Sequence, residues 1–187
     1  MEAHRTVVIT LSGEIHLKSR RTQRRFLSII ADNVAAAAGI KVGSVRRIGG
    51  NRLLLEGNRA LAQVEPISRV FGVDSVDVVE VIQTNELEEI TEHAVRLWGD
   101  QTATGTFAVR VKRVGPQSWK TVEAERHIGG VLDRPGNKVD LTNPDHTVRI
   151  RVDGERTWVT VSRTKGPGGL PMGTQEPVLV LLSGGFD

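Results

Sequence analysis

Between residues 5 and 83 the hydrophobic pattern changes period in a fixed order, and that order constrains the fold more than any bulk property. RTVVITL is a short β-branched run that reads as a strand. In RRTQRRFLSIIADNVAAAAG, Phe26, Ile30 and Val34 recur every four residues with Leu27 and Ile29 beside them, one helical face with Gly39 as its stop. KVGSVRRIGGNRLLLEG reads as two short strands about the turn Gly49-Gly50-Asn51. NRALAQVEPISRVFG then gives a shorter helix and VDSVDVVEVIQ another strand. Strand-helix-strand-strand-helix-strand is the split βαβ order.

A second unit follows. NELEEITEHAVRLWGD puts Leu87, Ile90, Ala94 and Leu97 on one face, with Asn85 as the expected cap, Glu88 at the third position and Gly99 as the stop. TFAVRVKR alternates, Phe107, Val109 and Val111 on one side and Ala108, Arg110 and Lys112 on the other. SWKTVEAERHIGGVL reads as a helix despite Gly129-Gly130, a pair expected where another backbone passes close by or where the helix ends early. HTVRIRVDGERTWVTVSR is two alternating strands around Asp153-Gly154. TKGPGGLPMGTQEP has linker composition, and the apolar VLVLL after it reads as a strand of a parallel sheet whose partners the chain does not supply.

Composition narrows the function classes. Aromatic residues are 4% of the chain and Tyr is absent, so an aliphatic core is expected. The net charge of +3 and pI near 9.7 admit an anionic partner without requiring one. With no cysteine, these residues hold no disulfide, thiolate zinc site or thiol nucleophile. His4, His16, His93, His127 and His146 are scattered without metal-ligand spacing, so no metal site is expected. No run has signal-peptide or membrane-spanning length, and the expectation is a cytoplasmic, soluble chain with no membrane partner.

Two basic constellations remain. KSRRTQRR gathers Lys18, Arg20, Arg21, Arg24 and Arg25 around a helix start, where positive charge opposes the helix dipole. It reads either as a phosphate-backbone contact surface or as a solvated helix face. In the alternating strands, Arg110 and Lys112 share one side, as do Arg149 and Arg151, with apolar residues opposite. If the two strands share a sheet, its outer face is basic. A face of Arg and Lys without interleaved aromatics suits a folded RNA backbone, and Trp98, Trp119 and Trp158 are expected in the core. The terminal Ser183-Gly184-Gly185-Phe186-Asp187 follows an apolar run. It fits an ordinary Gly-Gly turn and equally a pyrophosphate loop, whose glycines let backbone approach the anion.

Several motifs coincide in order: GEIHLKSRRTQRRF, FAVRVKRVG, VEAERHIGG, VDLTNPDHTVRIRV and GGLPMGTQEPVLVLLSGGFD. Together they resemble the tRNA 4-thiouridine synthetases, the tRNA sulfurtransferases that also serve thiamine thiazole biosynthesis, and the last of them is specific by itself. The resemblance implies an α+β fold. A ferredoxin-like domain has its core at residues 1–58, completed by elements to about 83. An α/β THUMP RNA-binding domain follows at 59–164, then a linker at 165–177 and the first strand of a PP-loop domain at 178–187. It implies an ATP-dependent reaction, with Mg2+, that adenylates a uridine of tRNA at position 8. A cysteine desulfurase supplies persulfide sulfur, and a thiazole sulfur-carrier protein is a further implied partner. Leu181, Leu182, Ser183, Gly184, Gly185 and Asp187 then match the ATP-binding positions. No catalytic residue and no bound cofactor are expected within this stretch alone. The residues expected to grip the tRNA acceptor end are Lys18, Arg24, Arg25, Arg110, Lys112, Arg113, Arg149 and Arg151. The alternative is a THUMP-type RNA-binding adaptor without chemistry of its own.

Overall fold

The computed structural model describes residues 4–55 and 58–179. Strand β1 (His4–Leu11) turns Val7, Ile9 and Leu11 to one side, each fully buried. Helix α1 (Arg20–Ala38) starts where the Ser19 hydroxyl accepts the Thr22 N–H, and it ends at Gly39, left-handed at φ 63°. Strands β2 (Val45–Arg47) and β3 (Arg52–Leu55) flank Gly49 and Gly50, both at positive φ. The shorter helix expected next is a 3-10 turn, Asn58–Gln63, followed by α2 (Val64–Ser68). An α-helix through the whole stretch would need the N–H that Pro66 lacks to reach the carbonyl of Ala62. Strand β4 (Val73–Ile82) completes the order β2-β3-β1-β4, antiparallel throughout.

The sheet does not stop there. Helix α3 (Leu87–Trp98), β5 (Gly105–Val114), α4 (Thr121–Leu132), β6 (Asn137–Val139), β7 (His146–Asp153) and β8 (Arg156–Lys165) add a second half. β8 pairs with β4, giving one eight-stranded α+β sheet ordered β2-β3-β1-β4-β8-β7-β5-β6. β5 runs parallel to both β7 and β6, and the three-residue β6 carries no alternation that sequence reading would find.

Among the described residues the α-helices pack on one face of this sheet, over two apolar clusters. The first joins Val7, Ile9, Leu11, Leu53 and Val76 to Phe26, Ile30 and Val34 of α1. The second joins Phe107, Val109, Val148, Ile150 and Val159 to Ile90 and Ala94 of α3 and Ile128 of α4. Trp98 and Trp119 lie in this second cluster as expected, their indole N–H groups donating to the carbonyls of Thr160 and Asn85. On the same face β1, β4 and α3 meet at Glu80, whose side chain is 5% exposed. Arg5 and Arg96 donate to it at 3.0 and 2.7 Å, and His93 Nε2 lies 3.0 Å away. Burial alone would raise the Glu80 carboxyl, but the Arg96 and Arg5 hydrogen bonds hold it below its ordinary range.

Two local expectations are corrected, and the stretch after β8 is described in part. The α3 N-cap is Glu86, without a side-chain cap bond, and Thr84 rather than Asn85 accepts the Glu86 N–H. Gly129 and Gly130 lie inside α4, yet no other backbone approaches them: a Cβ on Gly130 would meet nothing within 4 Å. The Gly/Pro-rich stretch after β8 is docked rather than free. Gly166 and Gly168 donate to Asp74 and Val73, Gly72 donates to Gly168, and Asn33 reaches the Met172 carbonyl. Val178 and Leu179, expected to open a strand, are exposed and outside any regular element, and the rest of VLVLL lies outside the described residues.

Two glycines separate these cases. Gly130→Ala is expected to stabilise the chain by ~0.5–1 kcal/mol through helix propensity, a rise of about 1–4 °C in thermal midpoint. At Gly166 a Cβ would sit 2.3 Å from the Val73 carbonyl oxygen. Gly166→Ala is therefore expected to destabilise by ~1–3 kcal/mol, read in the same thermal melts.

Candidate functional site

The face of the sheet opposite the helices carries the charge. β5 and β7 are adjacent and in register, with Arg110 opposite Arg149 and Lys112 opposite Arg151. Their alternate neighbours Val109, Val111, Val148 and Ile150 point into the helix-side core. Strand pairing thus brings four of the residues expected to bind RNA onto one surface. Arg110 also donates to the Leu141 carbonyl, and Arg151 lies 3.6 Å from Asp153.

This face is concave. A cavity of about 370 Å³ is lined from both halves, by Arg52, Asp77 and Val8 on one side and by Arg110, Lys112, Arg149, Arg151, Trp158 and Arg163 on the other. β3 and β7 are separated by three strands, about 19 Å in a flat sheet. Arg52 and Arg151 nevertheless line one cavity, as the twist of a sheet and the length of two arginine side chains allow. An apolar floor of Val8, Leu54 and Val79, packed with Ile48, Val81 and Trp158, lies under the charges.

Cations crowd here. Burial first, then the neighbouring Arg151, lowers the Arg52 guanidinium below its ordinary value; burial and Arg163 do the same to Arg149. Asp77 opposes both. It accepts Arg163 Nε at 2.7 Å and Nη2 at 3.1 Å, a bidentate pair across the β4–β8 ladder. Burial pushes the Asp77 carboxyl up, against the pull of Arg163, Arg149 and Arg52. The lining has six cations and three carboxylates, so a polyanion is the ligand it can compensate.

Four contributors escaped sequence reading. Trp158 is not in the helix-side core: it lies half-buried on the basic face with the Arg156 guanidinium 5.9 Å from its ring centroid. Alternation against Val159 carried that signal. Arg163 had none. Period-2 alternation from Val159 sends it to the helix side, but a register shift leaves Val161 as an extra residue in β8, and beyond it Arg163 faces the concavity. Arg52 and Asp77 belong to the first half, and their meeting with the second half depends on a pairing of distant strands that no local pattern announces.

The remaining expected residues lie elsewhere. Lys18, Arg24 and Arg25 are exposed at the start of α1, in the helix layer, away from the concave face. Arg113 follows Lys112 and so turns to the helix side of β5, exposed near the strand end. Leu181, Leu182, Ser183, Gly184, Gly185 and Asp187 lie outside the described residues.

Comparison with known proteins agrees with this architecture. The THUMP domain profile matches residues 84–162. The chain is 38% identical over 181 residues to a probable tRNA sulfurtransferase of Saccharolobus solfataricus, covering 97% of this chain and 48% of that relative. It spans less than half the length of the curated relatives it matches. Among solved structures it is similar to PH1313 from Pyrococcus horikoshii, with TM-score 0.73 and 25% identity over 90% of this chain and 58% of that one. A 4-thiouridine synthetase solved with RNA and bound ATP shares the fold, with TM-score 0.69 and 23% identity over 90% of this chain and 44% of that one.

Crowded, partly desolvated guanidiniums make the fold itself respond to anions. Millimolar tripolyphosphate is expected to raise the thermal midpoint beyond sodium chloride of equal ionic strength, and Arg149→Ala with Arg151→Ala to remove at least half of that increment.

Proposed function

We propose that this chain, which carries a THUMP domain and is similar along its length to the amino-terminal part of tRNA sulfurtransferases, is the tRNA-docking part of such an enzyme. The observation that supports this most directly is the basic concavity shared by both halves. A folded RNA offers closely spaced phosphates on a rigid surface, and a fixed array of guanidiniums over an apolar floor matches that better than it matches scattered counterions. Arg52, Arg149, Arg151 and Arg163 join Arg110 and Lys112 as the contact set. Lys18, Arg24 and Arg25 form a second basic surface, which reaches a different part of the same RNA.

In the whole protein the reaction is proposed to be ATP-dependent, with Mg2+, converting a uridine of tRNA to 4-thiouridine at position 8. The chain's own residues bind and orient the substrate; ATP supplies activation of the uridine oxygen when bound. Leu181, Leu182, Ser183, Gly184, Gly185 and Asp187 are the proposed ATP-binding positions, on the likeness of the terminal SGGFD to a pyrophosphate loop. No cysteine is present, so sulfur is not carried on a thiol of these residues. A cysteine desulfurase is the proposed donor, a sulfur-carrier protein for thiazole synthesis a further partner, and the cytoplasm the proposed location. Among the described residues no helix is long and apolar enough to cross a membrane.

Each phosphate contact neutralised by the protein contributes about −0.9 to the slope of log affinity against log salt on duplex nucleic acid. Arg110→Ala with Lys112→Ala is expected to weaken tRNA binding and flatten that slope by roughly two contacts, measured by fluorescence anisotropy from low to moderate salt. An unchanged slope would remove this face from the reading.

A further inference from the structure

A carboxylate in the middle of a phosphate-binding surface is at first sight misplaced. Asp77 is 7% exposed and lines the basic concavity. It lies directly opposite Arg163 across the β4–β8 ladder, and the pair is bidentate. Ser75, two residues earlier on the same face, accepts a further bond from Arg163 Nη2 at 3.0 Å. Nε and Nη2 are thereby committed, and the two Nη1 hydrogens have no partner among the described residues. Arg52 and Arg149 line the same cavity as this carboxylate, and its charge favours both. Charge counting makes Asp77 a defect in the site. The geometry makes it the part that orders the site.

We propose that Asp77 is a positioning residue for RNA phosphate contact: it fixes the Arg163 guanidinium in one orientation and allows Arg52 and Arg149 to converge beside it. The proposal rests on reading this face as the RNA contact surface. A long, rotamer-rich arginine held in advance loses less entropy when it meets a phosphate, and three guanidiniums without a central counter-charge repel one another out of register. Neutralising Asp77 therefore weakens RNA binding even though it makes the surface more positive. Simple attraction between net charges demands the opposite sign.

The test measures tRNA affinity and its salt slope on the whole chain, with folding followed by circular dichroism and thermal melts. Asp77→Asn is expected to bind tRNA roughly five- to twentyfold more weakly at matched ionic strength, with a slope flatter by about one contact. Arg163→Gln should match it, and the double variant should be no worse than the weaker single. Asp77→Glu should recover part of the affinity. A purely structural role lowers the melting point while leaving the affinity and slope of the folded protein unchanged, and that result overturns the proposal. Equal or tighter binding by folded Asp77→Asn overturns it too. If Asp77→Asn does not fold, Ser75→Ala decides, since it frees one Arg163 bond without altering charge: weaker binding at an unchanged melting point supports positioning, and unchanged affinity refutes it. Arg149→Ala with Arg151→Ala tells the two failures apart. If that variant binds tRNA normally, the RNA reading of the face falls and takes Asp77 with it; if it binds weakly while Asp77→Asn does not, only the Asp77 proposal falls.

Discussion

The β4–β8 ladder is the interaction on which the rest of the molecule depends. It joins residues 73–82 to residues 156–165, far apart in sequence, and turns two four-stranded halves into one sheet. Without it each half has an open edge at that point, with unpaired backbone groups. With it, the second half's cations sit at fixed distances from Arg52 and Asp77 of the first. The Glu80 network reinforces the joint on the helix side, where α3 of the second half and β1 of the first both reach one buried carboxylate. Glu80 is buried while Arg5 and Arg96 are about half exposed, so losing either arginine costs less than breaking a fully buried pair, and the network adds to the joint without dominating it.

That rigidity has an electrostatic counterpart. Helices cover one face and supply the chain's apolar cores, leaving the other face to carry a thin apolar floor beneath charged side chains. Guanidiniums over such a floor are partly desolvated, which strengthens their attraction to any anion and raises the cost of holding them together. The Asp77–Arg163 pair offsets part of that cost at the point where the two halves meet. Cations on a free helix surface, such as Arg24 and Arg25, have no such constraint and give charge without geometry.

How much of this was legible in the sequence follows from the range of the interactions. β1, α1, β4, β5 and the β7–β8 turn were readable because each is set by a local period: Phe26, Ile30 and Val34 describe a helix face with no knowledge of its partner. The juxtaposition of Arg110 and Lys112 with Arg149 and Arg151 was readable on one condition, that β5 and β7 share a sheet. Trp158 was legible in its alternation, but an aromatic residue is expected in a core and the prior overrode the pattern. Arg163 was not legible, because one extra residue in β8 reverses the side on which every later side chain emerges. The docking of residues 166–174 was hidden by their composition: glycine and proline suit a free linker, and they suit equally a strap whose backbone lies against another backbone, as Gly166 does on Val73.

The candidate site is built from more of the chain than the matched domain. The THUMP match covers residues 84–162, yet that span leaves out Arg52, Asp77 and Arg163, and with them β4, the strand on which β8 closes. The β5–β7 pairing that sets Arg149 and Arg151 beside Arg110 and Lys112 lies inside that span, but one wall of the concavity and its central counter-charge lie outside it. The matched span holds four of the six cations that line the concavity, while their arrangement belongs to both halves. Under the RNA reading proposed above, a surface that matches the shape of a folded RNA depends on arrangement, and the first half then supplies the other wall of the site.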